Sequence, residues 1–257
     1  MPSYAILGAT GQTGQSLLNI LSKLPDRQIH AYVRSKSKLE RMSPDVCALP
    51  RVKIYEGDLN DSELIADCIS GTQAVFLTAA QSDNMPGCRV ACDSARILVT
   101  ALGQLRFKDP TARLPRLVML SSGTIDEHLS RDMPRFAHWM LFTAYSSVYK
   151  DLIEAEQYLR DRQDWISTTF IKPAGLVHDA QKGHQLSTEK QQSFLSFLDL
   201  AAGMIEVADA EGNQWDKKNV SVLPTGKNVK VEYMAPVYLA KGLLCHFLPS
   251  LYPYLRA

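Results

Sequence analysis

The segment that most restricts the fold of this chain is Gly8-Ala9-Thr10-Gly11-Gln12-Thr13-Gly14, which follows the apolar run Tyr4-Ala5-Ile6-Leu7 and leads into a helical pattern. A strand that turns on glycines into a helix is how a dinucleotide-binding βαβ unit opens. Gly8 permits the tight turn, Gly11 removes the Cβ that would hold a pyrophosphate off the main chain, and Gly14 lets helix and strand pack closely. The helix start adds unpaired N–H groups and about half a unit of positive charge, with Thr10, Gln12 and Thr13 completing the phosphate-facing turn. The competing reading is a glycine-rich turn without a ligand.

Further strands are expected at His30-Ala31-Tyr32-Val33, Val52-Lys53-Ile54-Tyr55, Ala74-Val75-Phe76-Leu77, Leu117-Val118-Met119-Leu120 and Ser167-Thr168-Thr169-Phe170-Ile171. Helical patterns lie between them at 13–23, 62–69, 88–104 and 148–162. This alternation implies an α/β Rossmann fold, a doubly wound parallel sheet with helices on both faces. After Pro173 it loosens: a polar lid or insertion at 181–192, a helix at 193–208, a strand at Val220-Ser221-Val222-Leu223 and a closing helix at 233–247. No linker separates a second domain, so residues 1–257 are expected to form one domain, with 174–257 as a small C-terminal subdomain capping the substrate side.

Several partners are set aside on composition. A net charge of +1 with 21% charged residues gives no electrostatic case for nucleic acid. The most apolar late run, Gly242 to Leu248, is far shorter than the roughly 20 residues that span a bilayer, and Pro249 stops it. The first strand begins almost at Met1, where a signal peptide would need a basic and an apolar region, so a cytoplasmic protein is expected. Five scattered cysteines fit reduced thiols; Cys88 and Cys92 stand one helical turn apart, but no nearby His completes a metal set, and no metal is expected. The expected partner is a small-molecule substrate, on a monomer or homodimer.

The second strand chooses between dinucleotides. Chains that prefer NAD usually end this strand with an Asp or Glu on the ribose hydroxyls; here it runs Val33-Arg34-Ser35-Lys36-Ser37-Lys38. Arg34 suits a 2′-phosphate, with Ser35, Lys36 or Lys38 as added donors, so NADP(H) is the expected cofactor; the competing reading of the basic run is a solvated loop. Asp58 and Leu59, after the third strand, are candidates to meet adenine, although an Asp at an exposed turn is the plain alternative. Thr78, Ala79 and Ala80 end the fourth strand, where the cofactor should pass.

The glycine turn, Val33-Arg34, Gly57-Asp58-Leu59, Leu120-Ser121-Ser122-Gly123, Glu154-Ala155-Glu156-Gln157-Tyr158-Leu159 and Ile171-Lys172-Pro173-Ala174-Gly175-Leu176 stand in the order of a known family. Over its first two-thirds the chain resembles the atypical short-chain dehydrogenase/reductases, and among them the NmrA-like group. The resemblance implies NADP(H) and a substrate cleft over the nicotinamide, but does not fix the reaction. The segment Phe197-Leu198-Asp199-Leu200-Ala201-Ala202-Gly203 is also similar to members of fungal specialised (secondary) metabolism.

Hydride transfer needs a proton donor beside the nicotinamide. The family pattern places a Tyr and, four residues later, a Lys on one helix face; here Tyr145 is followed at that spacing by Tyr149, and Lys150 falls about 140° around the helix from Tyr145. Lys150 near the cofactor ribose or substrate is the favoured candidate, with Tyr145 or Tyr149 second; the competing reading pairs Lys150 with Glu154 on a solvated face. Ser121 and Ser122, ending the fifth strand, are candidates to bond a substrate oxygen, and Pro173 and Ala174 to meet the carboxamide of the nicotinamide. The apolar stretch Met133 to Phe142 is expected to wall a hydrophobic pocket, to form an interface or to pack as a helix. These features favour an NADPH-dependent oxidoreductase, a reductase acting on a mid-sized apolar or aromatic molecule. An NADP(H)-sensing regulator without turnover and a redox-neutral isomerase or cyclase on the same fold remain open.

Overall fold

The computed structural model describes residues 1–227 and 229–255. In chain order the elements are β1 (Ser3–Leu7), α1 (Gln12–Leu21), β2 (Gln28–Val33), α2 (Lys36–Met42), α3 (Pro44–Cys47), β3 (Val52–Glu56), α4 (Ser62–Ile69), β4 (Ala74–Leu77), α5 (Val90–Lys108) and β5 (Arg116–Leu120). There follow α6 (Arg135–Ala144), α7 (Ser146–Arg160), β6 (Thr168–Ile171), β7 (Leu176–Val177), β8 (His184–Ser187), β9 (Leu195–Ser196), α8 (Phe197–Asp209), β10 (Asn219–Pro224), α9 (Ala235–Phe247) and α10 (Tyr252–Leu255).

Eight strands form one sheet in the order β3-β2-β1-β4-β5-β6-β10-β8, with β7 and β9 paired separately. Order reverses between β1 and β4, and the crevice beyond their carboxyl ends is where such sheets bind ligands. Strand side chains alternate between faces. Leu7, Val75, Met119 and Phe170 therefore pack under α4, α5 and α7. Tyr4, Ile6, Phe76, Val118 and Ile171 pack under α1 and α8. Each fully buried aliphatic contributes about 1.5–3 kcal/mol, which fixes strand register: a one-residue slip would exchange the faces.

Three sequence expectations change, and one of three open readings is met. The sheet is mixed, because β8 pairs antiparallel with β10, Ser187 opposite Ser221 and His184 opposite Pro224. The expected polar lid therefore contains an edge strand, where polar residues face solvent without cost. The run after Arg34 is a helix, capped by Ser35, whose side chain accepts from the Lys38 N–H; it buries Leu39 alone, too little for a visible period. The third change is in α5, which starts at Val90 rather than Cys88, because the buried Asp151 carboxylate accepts from the N–H groups of Ala91 and Cys92 at 2.8 and 2.9 Å. Finally, the apolar stretch before the fifth crossover is helix α6, with the Phe136 and Trp139 rings stacked on its exposed side.

Helix α9 crosses α6 so closely that a Cβ on Gly242 would strike the Ala144 carbonyl. Asn84, in the loop after β4, locks this corner: its amide donates to the Gly242 carbonyl at 3.0 Å and accepts from the Ser147 N–H at 2.8 Å. No helix among the described residues is long and apolar enough to cross a membrane.

Candidate active site

The glycine turn takes the shape its residues prescribe. Gly8 has φ +99°, and a Cβ there would lie 2.8 Å from the Ala79 nitrogen, so the turn sits directly against the end of β4. A Cβ on Gly14 would meet the Ala9 Cα at 2.8 Å. Gly11 stands at the N-cap of α1 with no side chain capping it. The first-turn N–H groups of Gln12 and Thr13 are thus left for an acceptor from outside the helix, as an anionic pyrophosphate requires. Thr78 is buried and donates to the Leu7 carbonyl at 3.0 Å, pinning β4 to β1 beneath this turn; Ala79 is half-buried and Ala80 exposed. A cleft of about 430 Å³ opens beside the turn, lined by Thr10, Gln12, Met42, Ser43, His178 and Leu198 among others.

At the end of β2, Arg34 is exposed and makes no ion pair among the described residues. Asp58 is exposed as well; its carboxylate accepts from the Asn60 N–H at 3.0 Å, closing its own turn. Leu59 follows half-buried. A residue that sequence analysis did not single out shares this corner: Glu56, the last residue of β3, accepts from the Lys36 N–H at 2.9 Å.

The catalytic candidates lie beyond β5 and on α7. Lys150 is exposed and forms no ion pair with Glu154, which faces Arg89 at 3.5 Å. The α7 face turned toward the sheet carries Val148, Tyr149, Leu152, Ala155, Glu156 and Leu159, and Lys150 falls outside it. Tyr149 points inward, ring to ring with Phe142 and Tyr145 at 5.6 and 5.8 Å. Burial pushes its phenol up from the ordinary value, while hydrogen bonding from Thr124 and Ser122 offsets part of the rise. The Tyr145 phenol is pushed up to about 12, again chiefly by burial and secondarily by Tyr149.

The paired serines separate. Ser121 is buried and donates to the Glu156 carboxylate; Ser122 holds the start of the next turn, accepting from the Thr124 N–H at 3.3 Å. Glu156 also pairs with Lys172, itself buried, and with Arg160 at 3.1 Å. Burial pulls the Lys172 ammonium below its usual range, and Glu156 pulls it back up. Lys172 stood only inside a family motif; the signal that could have found this pair is Glu156, which falls in the apolar stripe Leu152-Ala155-Leu159. Pro173 gives its carbonyl to the Gly123 N–H at 2.8 Å, and Ala174 is half-buried beside it. Against Gly123 lies the Gln191 amide, both ends buried and without a partner among the described residues. Such a group is completed by a ligand or a water.

Cys88 is buried and donates to Asp151 at 3.2 Å, while Cys92 receives Arg96 at 3.4 Å. Among the described residues no group of three or more His, Cys, Asp or Glu is arranged to hold a metal.

This geometry has matches among known proteins. A family model described as NAD(P)H-binding matches residues 8–211. Oxidoreductase ordB of Dothistroma septosporum is 50% identical over 257 residues, covering 100% of this chain and 96% of the relative. Oxidoreductase aflX of Aspergillus parasiticus is 46% identical over 99% of this chain and 95% of its own length. Among solved structures, a short-chain dehydrogenase/reductase of Veillonella parvula in complex with NADP aligns with a TM-score of 0.68 at 18% identity, covering 90% of this chain and 99% of that one.

Proposed function

The chain belongs to the NAD(P)H-binding oxidoreductases of the atypical short-chain dehydrogenase/reductase type, and from that premise we propose that it is an NADPH-dependent reductase of a mid-sized apolar or aromatic molecule, such as a specialised-metabolite intermediate. The observation that carries the reaction assignment is Tyr149, a buried phenol set among hydroxyls where the fifth strand ends. The nicotinamide, when bound, supplies a hydride. Tyr149 would supply the accompanying proton: its O–H bond would break toward the substrate oxygen, and solvent would restore the proton through Ser122 and Thr124.

NADP(H) in preference to NAD(H) is supported by Arg34, exposed at the end of β2 and without an ion pair among the described residues, and by the NADP held by the Veillonella parvula neighbour. An apolar substrate is supported by α6, whose Phe136, Trp139 and Phe142 are all exposed. Calorimetric titration with NADPH, NADP, NADH and NAD, followed by NADPH consumption with a panel of aromatic ketones and quinones, tests the assignment. Tight NADPH binding and turnover of panel members are expected; no binding of any dinucleotide would overturn it.

A further inference from the structure

β2 ends in Val33 and is followed by Arg34, without a carboxylate, which favours a 2′-phosphate. The fold brings a carboxylate to the same corner from the neighbouring strand. Glu56 pairs in register with Val33, so strand pairing alone sets it beside the end of β2. Its Oε1 accepts from the Lys36 N–H at 2.9 Å. The charged groups on the adjoining segment 34–40 are Arg34, Lys36 and Lys38, all exposed, and Glu40, which lies 3.8 Å from the Lys36 ammonium.

We propose that Glu56 sets how strongly this chain separates a 2′-phosphate from a 2′-hydroxyl on the adenosine ribose. The inference rests on the reading of Arg34 as the ribose-side contact. A 2′-phosphate brings about two negative charges and seeks N–H donors. At this corner it meets a carboxylate that already occupies the Lys36 N–H, so NADP(H) must displace Glu56 or bear the repulsion. NAD(H) does neither, because a hydroxyl donates to a carboxylate. Arg34 and Glu56 therefore oppose each other, and the preference for NADP(H) is weaker than Arg34 alone would produce.

The test is Glu56→Gln, which keeps an acceptor for the Lys36 N–H and removes the charge. Dissociation constants for NADPH, NADH and 2′,5′-ADP are measured by calorimetry on wild type, Glu56→Gln and Arg34→Ala. Glu56→Gln is expected to tighten NADPH and 2′,5′-ADP about 10-fold, the scale of one charge contact at a partly solvated site, and to change NADH by less than about threefold. No change, or equal tightening of NADPH and NADH, overturns the proposal. Loss of NADPH affinity in Arg34→Ala with no effect of Glu56→Gln overturns the Glu56 proposal alone, whereas a wild type that binds no dinucleotide overturns the function itself.

Discussion

Ser121 donates its hydroxyl to Glu156, a carboxylate 35 residues further along the chain on a different element. The bond commits the first serine of the Ser121-Ser122 pair to the interior and leaves the second beside Tyr149. Two residues that look equivalent in sequence thus divide between a carboxylate in the interior and the neighbourhood of the Tyr149 phenol.

Tyr149→Phe should lower kcat about 100-fold or more while leaving NADPH affinity near wild type, since only the proton donor is removed. Lys150→Ala should stay within about twofold of wild type, as surface substitutions usually do. Steady-state kinetics with a calorimetric Kd for each variant check both; the reverse ranking would restore Lys150.

Glu156→Gln leaves the Lys172 ammonium buried beside a neutral amide and should cost about 3–5 kcal/mol in urea denaturation. The double variant Glu156→Gln/Lys172→Met should lose less than Glu156→Gln alone, because the stranded charge goes with it. Simple additivity of the two single losses would show that the pair is not coupled.

Gly14→Ala drives a Cβ toward the Ala9 Cα and the Gly8 carbonyl. It should cost about 1–3 kcal/mol and weaken every dinucleotide alike, because the turn serves the pyrophosphate common to all four. Thermal unfolding and titration of NADPH and NADH check this; a loss confined to NADPH would contradict it.

Tyr145 and Tyr149 should ionise late. Burial favours the neutral phenol, so the folded chain keeps these protons above the ordinary value of 10.0, at about 12 for Tyr145. Above pH 10 the unfolded chain binds fewer protons than the folded one, so their contribution is fully present below that pH and is lost as pH rises further. Phenolate absorbance followed with urea stability from pH 8 to about 12 reads both effects; ordinary titration of all tyrosines would contradict the burial argument.

The repetitive parts of the fold were legible because they bury apolar side chains at fixed spacing. The expected helix at 62–69 coincides with α4, and the strand runs ending at Leu7, Val33, Leu77, Leu120 and Ile171 end where the observed strands do. Edge strand β8 was not legible, since His184 to Ser187 has one wet side and no apolar period. The family spacing does not place Lys150, whereas the apolar stripe on α7 marks Tyr149 as inward. Glu56 was hidden for a different reason: its role comes from β2 and β3 lying side by side, a relation between 33 and 56 that no local window contains.

The Asn84 amide grips both the α9 backbone and the start of α7 from the loop that leaves the cofactor strand. The wall that would face substrate and the strand that would carry the nucleotide are therefore fastened at one rivet. Mutational drift in substrate choice should accumulate on the outward residues of α6 and α9 and spare this fastening, for a change at Asn84 would unsettle recognition of both molecules at once.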